Sequence, residues 1–342
     1  MQEVEIKTNQ AGQRLDKFLH KVLPEAGTGF LYKMLRKKNI TLNGRKAEGS
    51  ELLQMGDKVA FFFSEETFQK FSGGKTYGQS ALRADSFSEY RRAYERMKEI
   101  QIIYEDEQIL IADKPAGILT QKAKPEDLSL NEWLIGYLLH QSPDWEQELA
   151  TFKPSVCNRL DRNTSGLVLC GKSLLGSQSL SRWIKERSLR KYYRTVCIGR
   201  IEKPMELEGV LRKDPSTNKV TVTQAPAGTS EADRIHTRIV PIGGNEKYTY
   251  LEVELITGKT HQIRAHLASV GHALIGDRKY GVDRVNGFFQ KKYQLNAQLL
   301  HAYRVEFPAV EDPRLKAVSE AVYLAPLPKL FGQICEEFKE NK

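Results

Sequence analysis

The chain has 342 residues, 40% of them hydrophobic and 28% charged, and carries a net charge of +9. That length suits two domains around substantial cores, and no apolar run approaches the ~20 residues of a membrane helix, so neither a membrane protein nor a membrane partner is expected. The basic excess favours a polyanion partner, nucleic acid ahead of a membrane surface. The N-terminus shows no basic-then-apolar signal, so a cytoplasmic location is expected. Cys157, Cys170, Cys197 and Cys335 form no C-x-x-C pair and read as reduced, mostly buried thiols.

Residues 12–62 read as a compact basic unit. Leu15, Phe18, Leu19 and Val22 recur at helical spacing, and Pro24 ends that helix. A second helix near 28–38 turns Phe30, Leu31, Met34 and Leu35 inward and carries Lys33, Arg36, Lys37 and Lys38 on its polar side. Ile40-Thr41-Leu42 enters an Asn43-Gly44 hairpin turn, and Val59-Ala60-Phe61 closes the unit as a strand. Cations on one rigid face suit a phosphate backbone, although a merely solvated face is the plainer reading. The layout resembles an S4 RNA-binding domain, which implies RNA contacts through Arg14, Lys33, Arg36, Lys37 and Lys38. Asp16, in Arg14-Leu15-Asp16, lies in a helical pattern and is read as a surface or first-turn residue without a catalytic role.

Residues 63–97 are expected to form a flexible linker and a short helix. Residues 64–85 lack apolar periodicity and include Ser72-Gly73-Gly74, and Ser86-Phe87-Ser88-Glu89 resembles a capping box for a charged helix reaching about Lys98. The two domains would then be tethered and free to reorient. Residues 98–330 form the second domain. Strands are expected at 100–104, 109–112, 167–170, 191–199, 219–223, 235–240 and 249–255, with helices at 128–140, 174–185 and from about 260. Strands and helices do not alternate strictly, so the fold class is α+β with a mixed, largely antiparallel sheet.

Within this domain, Arg159-Leu160-Asp161-Arg162-Asn163-Thr164-Ser165-Gly166-Leu167 places an acid at a turn before a buried strand. A rigid sheet lip can aim the carboxylate into a cleft, and the flanking Arg159 and Arg162 favour its charged form. A turn-capping Asp paired with a neighbouring Arg is the bland alternative. In Arg190-Lys191-Tyr192-Tyr193 strand alternation puts the two tyrosines on opposite faces, so one can meet a cleft. Gly258-Lys259-Thr260 lacks the earlier Gly of a P-loop, since Val253 stands there, and the Gly74-Lys75-Thr76 triplet fails likewise. His261 and His266 lack a zincin Glu. Neither a metal nor a nucleotide cofactor is expected.

Arg159-Leu160-Asp161-Arg162-Asn163-Thr164-Ser165-Gly166, Lys191-Tyr192-Tyr193, the Thr-Gly-Lys-Thr-His-Gln-Ile-Arg run ending at Arg264, Gly276-Asp277-Arg278-Lys279-Tyr280-Gly281 and Leu300-His301-Ala302 occur in this order. Together with Lys114-Pro115-Ala116-Gly117, they resemble the RluA-type pseudouridine synthases over about residues 12–310. Asn158 stands where that family usually has His, and Lys259 where it usually has Arg. The resemblance implies an isomerase that converts uridine to pseudouridine in folded RNA without a cofactor. It implies Asp161 as nucleophile, toward ribose C1′ or the uracil ring. Tyr193 would stack on the base or take its C5 proton, and Arg264 would pair with Asp161. Arg159 would fill the gap left by the extruded base. The S4-like unit with this catalytic type most resembles enzymes of large-subunit (23S) ribosomal RNA, of the RluC and RluD kind; transfer RNA is the alternative, and a monomer is expected. A glycosidase would need a second carboxylate, and none is evident beside these motifs. A non-catalytic RNA-binding protein explains residues 12–62 but not Asp161, Tyr193 and Arg264 together.

Overall fold

A computed structural model describes the chain except residues 74–86, 150, 214–219, 227, 231–232 and 340–342. The N-terminal unit contains β1 (Gln2–Glu5), α1 (Leu15–Val22), α2 (Thr28–Arg36), β2 (Ile40–Leu42), β3 (Arg45–Lys46), β4 (Lys58–Phe61) and α3 (Glu65–Phe71). Its antiparallel sheet has the order β1-β4-β2-β3. Leu15, Phe18, Leu19 and Val22 of α1 meet Leu31, Met34 and Leu35 of α2 in one core, as their spacing predicts.

The expected linker begins too early. Ser64 caps α3 by accepting from Thr67 N–H, and Phe68 is buried edge-to-face against Phe61. Burying that ring contributes about 2–3 kcal/mol, which offsets part of the entropy lost in ordering a short helix. The expected cap Ser86 and the stretch 74–80 lie outside the described residues. Nor is the N-terminal unit simply tethered. Asn9 donates to Glu148 at 2.7 Å, Gln10 to Thr151 at 2.5 Å, and Leu174 N–H donates to the Asn9 carbonyl.

The larger unit runs α4 (Ser88–Arg96), β5 (Gln101–Glu105), β6 (Ile109–Lys114), α5 (Leu130–Gln141), α6 (Trp145–Glu148), β7 (Ser155–Val156), β8 (Ser165–Gly171), α7 (Leu174–Lys185) and β9 (Arg190–Ile198). It continues with β10 (Met205–Lys213), β11 (Val220–Thr223), β12 (Arg234–Gly244), β13 (Tyr248–Leu255), α8 (Gln262–Ser269), α9 (Asp283–Tyr293), β14 (Leu300–Glu306), β15 (Val322–Leu324) and α10 (Lys329–Lys339). The sheet order is β11-β10-β12-β13-β9-β14-β8-β6-β5, with β7 on β8 and β15 on β14. Among the described strands, β8 with β14 is the parallel pair and the others are antiparallel. The class is α+β, as expected. No helix among the described residues is long and apolar enough to cross a membrane.

Strand β8 is buried along its whole length because both sheet faces are covered. Val168 and Cys170 join a cluster with Leu130, Trp133 and Leu134 of α5, while Leu167 and Leu169 join Leu180 and Trp183 of α7. Period-two alternation produces that division. Helix α5, in the stretch 128–140 where a helix is expected, is buried nearly all round.

Gly166 ties the central motif to the sheet. It holds φ 111°, and an added Cβ would sit 2.2 Å from the Ala302 carbonyl oxygen of β14. Gly166→Ala is expected to destabilise the fold by about 3 kcal/mol or more through overpacking and backbone strain, read as a lowered denaturant midpoint. A midpoint unchanged within error would show that β8 and β14 can separate at little cost.

Candidate active site

The loop before β8 is pinned from below. Lys114, fully buried at the end of β6, donates to the carbonyls of Pro115, Ile118 and Arg162 at 2.9, 2.9 and 3.2 Å. Burial pushes this amine down to about 7, opposed by the Asp161 and Asp113 charges. Three carbonyl acceptors match the three donors of an ammonium, so we assign the charged form. Thr120 Oγ1 donates to the Leu160 carbonyl and accepts from Leu160 N–H, while Gly117 N–H donates to the Arg162 carbonyl. Asn158 accepts from Leu169 N–H at 2.7 Å, so this departure from the family pattern still fastens the loop to β8.

Asp161 is thereby held at the edge of a recess lined by Arg159, Leu160, Thr164, Tyr193, His261, Arg264 and Leu300. The recess adjoins a cleft of about 850 Å³ whose lining includes Arg159, Arg162, Lys185, Arg187, Lys191 and Lys259. Arg264, on α8, donates through Nη1 to Asp161 Oδ2 at 2.7 Å and grips Asp277 with Nε and Nη2 at 2.7 and 2.9 Å. Asp277 is fully buried and also accepts from Lys279 and Tyr280 N–H. Burial alone would raise its carboxyl, but Arg264 and the two backbone donors hold it below the usual range. The fork therefore fixes the guanidinium and aims its remaining donor at Asp161.

The expected flanking arginines act differently. Arg162 turns away and donates to the Gly117 carbonyl, and Arg159 is exposed at the cleft. Tyr193 faces the recess, while Tyr192 packs under the Arg304 guanidinium, 3.9 Å from the ring centroid. Burial first, and the Asp161 charge second, pushes the Tyr193 hydroxyl well above the usual phenol range. His261 is not in the helix, as the Thr260 start implied; it precedes α8 in the left-handed region at φ 57°. Its Nε2 lies 3.8 Å from Asp161 Oδ2 and its Nδ1 2.9 Å from the Tyr280 hydroxyl.

The N-terminal cations lie apart from this recess. Lys33, Arg36, Lys37 and Lys38 are exposed along and just beyond α2, whereas Arg14 is paired with Asp16 at 2.9 Å. Asp16 also accepts from the Tyr32 hydroxyl. Asp277, His261, Tyr280 and Lys114 belong to the motifs already quoted, but nothing local in the sequence assigns them contacts.

Two buried histidines support the same region. His301 Nδ1 is 2.8 Å from Ser165 Oγ, His266 Nδ1 is 2.9 Å from Thr237 Oγ1, and burial pushes both imidazoles down to about 4. Between pH 6.5 and 4 the unfolded chain binds more protons at these sites, so stability falls as pH falls through that window. Each tenfold difference in proton affinity between the folded and unfolded chain is worth about 1.4 kcal/mol, so the expected total loss is a few kcal/mol. Denaturant midpoints measured across the range read it. His301→Gln should flatten the slope; an unchanged slope would remove His301 as a cause.

Known proteins resemble this chain in sequence and in fold. Residues 108–269 match the family model described as RNA pseudouridylate synthase. Ribosomal large subunit pseudouridine synthase C of Rickettsia felis is 30% identical over 271 residues, 78% of this chain and 81% of that protein. Ribosomal large subunit pseudouridine synthase D of Nitrosomonas europaea is 26% identical over 309 residues, covering 89% and 79%. The human protein titled RNA Pseudouridylate Synthase Domain Containing 4 shares the fold, with TM-score 0.53 and 18% identity over 74% of this chain and 97% of that one. The chain belongs to the RNA pseudouridine synthases, and within them to the RluA type. It is an enzyme that isomerises uridine in RNA.

Proposed function

We propose that the substrate is large-subunit ribosomal RNA and that Asp161 is the nucleophile. The observation that carries the second part is the Asp161 carboxylate, bound by a doubly anchored Arg264 at a recess beside a cationic cleft. In the isomerisation the N1–C1′ bond breaks, the uracil turns, and C5 bonds C1′. C5 loses its proton and N1 gains one, so neither oxidant nor second substrate is consumed. The glycosidic bond is inaccessible in a stacked helix, so the target nucleotide leaves the stack and enters the recess. Arg159, exposed at the cleft, fills the gap. Tyr193 offers its ring to the uracil, and its raised hydroxyl suits stacking better than proton abstraction at neutral pH.

The N-terminal unit serves as an S4-like RNA anchor through Lys33, Arg36, Lys37 and Lys38, with Arg14 contributing at its edge. Exposed cations on one short rigid element support backbone contacts of this kind. The relatives named for the ribosomal large subunit support the choice of RNA. The enzyme is proposed to act as a cytoplasmic monomer. Incubating purified protein separately with unmodified large-subunit ribosomal RNA and transfer RNA, then mapping pseudouridine, tests the substrate. Discrete new sites in the ribosomal RNA are expected; sites in transfer RNA alone would overturn that choice.

A further inference from the structure

Two N–H groups face one oxygen of Asp161. Arg264 Nη1 donates to Oδ2 at 2.7 Å, His261 Nε2 stands 3.8 Å from the same oxygen, farther than a hydrogen bond, and among the described residues neither hydrogen bond nor ion pair reaches Oδ1. We propose that His261, oriented by Tyr280, is a second positioning residue for Asp161, its N–H attracting Oδ2 from the side opposite the Arg264 hydrogen bond so that Oδ1 meets the substrate. This rests on the reading of Asp161 as nucleophile.

The hydrogen-bond geometry around Tyr280 supports the orientation. Its oxygen accepts from Val220 N–H of β11 at 2.9 Å, and its hydroxyl lies 2.9 Å from His261 Nδ1. A neutral imidazole has one N–H. If that proton sat on Nδ1, the Nε2 lone pair would face a carboxylate oxygen, which is repulsive. With the Tyr280 hydroxyl donating to Nδ1, the proton sits on Nε2 and points at Asp161. Burial, assisted by Arg264 and Lys279, outweighs Asp161 and Asp277 and keeps the ring neutral. The left-handed backbone at His261, φ 57°, swings the ring out ahead of α8, between Tyr280 and Asp161. The same hydroxyl links this ring to the backbone of β11 at the sheet edge.

Two amide substitutions separate the ring nitrogens. His261→Asn suits the left-handed backbone and reaches only the Nδ1 position, so it keeps the Tyr280 contact and loses the donor to Asp161. His261→Gln extends an amide N–H to about the Nε2 position. Single-turnover pseudouridine formation on RNA from cells lacking the protein is measured beside RNA affinity and thermal melting. His261→Asn should slow the step about 10- to 100-fold with affinity within about twofold, and His261→Gln should recover most of that loss. Tyr280→Phe should fall between them. Equal losses in the Asn and Gln variants at unchanged melting, or a loss confined to affinity, would overturn the proposal. So would full activity of His261→Asn where Asp161→Ala is inactive, leaving the nucleophile intact. An active Asp161→Ala would instead remove the reading beneath it.

Discussion

Asp161→Ala is expected to lower pseudouridine formation by at least about 10⁴-fold while leaving RNA affinity within about threefold of wild type. Asp161 contributes one carboxylate to a cleft lined by many cations, so its removal scarcely weakens, and can even strengthen, attraction for phosphates. The loop should survive because its fastening comes from Lys114, Thr120 and Asn158 rather than from the carboxylate. Release of the C5 hydrogen from tritiated uridine in RNA gives the rate, and filter binding gives the affinity. A variant that still turns over near the wild-type rate would eliminate Asp161 as nucleophile.

Arg264→Met should cost stability and activity together. It strips the counter-charge from Asp277, which is fully buried, and such an uncompensated carboxylate costs about 3–5 kcal/mol. It also removes the donor that orients Asp161. Adding Asp277→Asn to Arg264→Met removes the stranded charge, so the double variant should regain most of the stability and little of the activity. Chemical denaturation and single-turnover kinetics on the four members of this cycle separate the two effects. Recovery of activity in step with stability would show that Arg264 acts only through folding.

The sequence alone disclosed more of the frame than of the wiring. Strand β8 and helix α7 contain the stretches 167–170 and 174–185 where the apolar pattern puts them. Helix α3 carries little local signal, because seven residues give no usable periodicity and its docking depends on Phe61 just before it and on Phe30, distant in sequence. Arg159 and Arg162 were the natural partners for Asp161 by adjacency. The chain instead delivers Arg264, 103 residues away, because Asp277 has already fixed its fork. Motif order and resemblance disclosed that pair, while periodicity and spacing did not. The left-handed turn at His261 leaves no local signature either, since a histidine before a helix is unremarkable until φ 57° is seen. Contacts set by tertiary approach are legible only once the sheet has brought its motifs together.

The central claim is that this chain makes pseudouridine in ribosomal RNA through Asp161. The most direct test maps pseudouridine in the RNA of cells lacking the protein, after rescue with wild type or with Asp161→Ala. Large-subunit sites lost on deletion, restored by wild type and not by Asp161→Ala, are the expected result. Sites restored equally by both would contradict it.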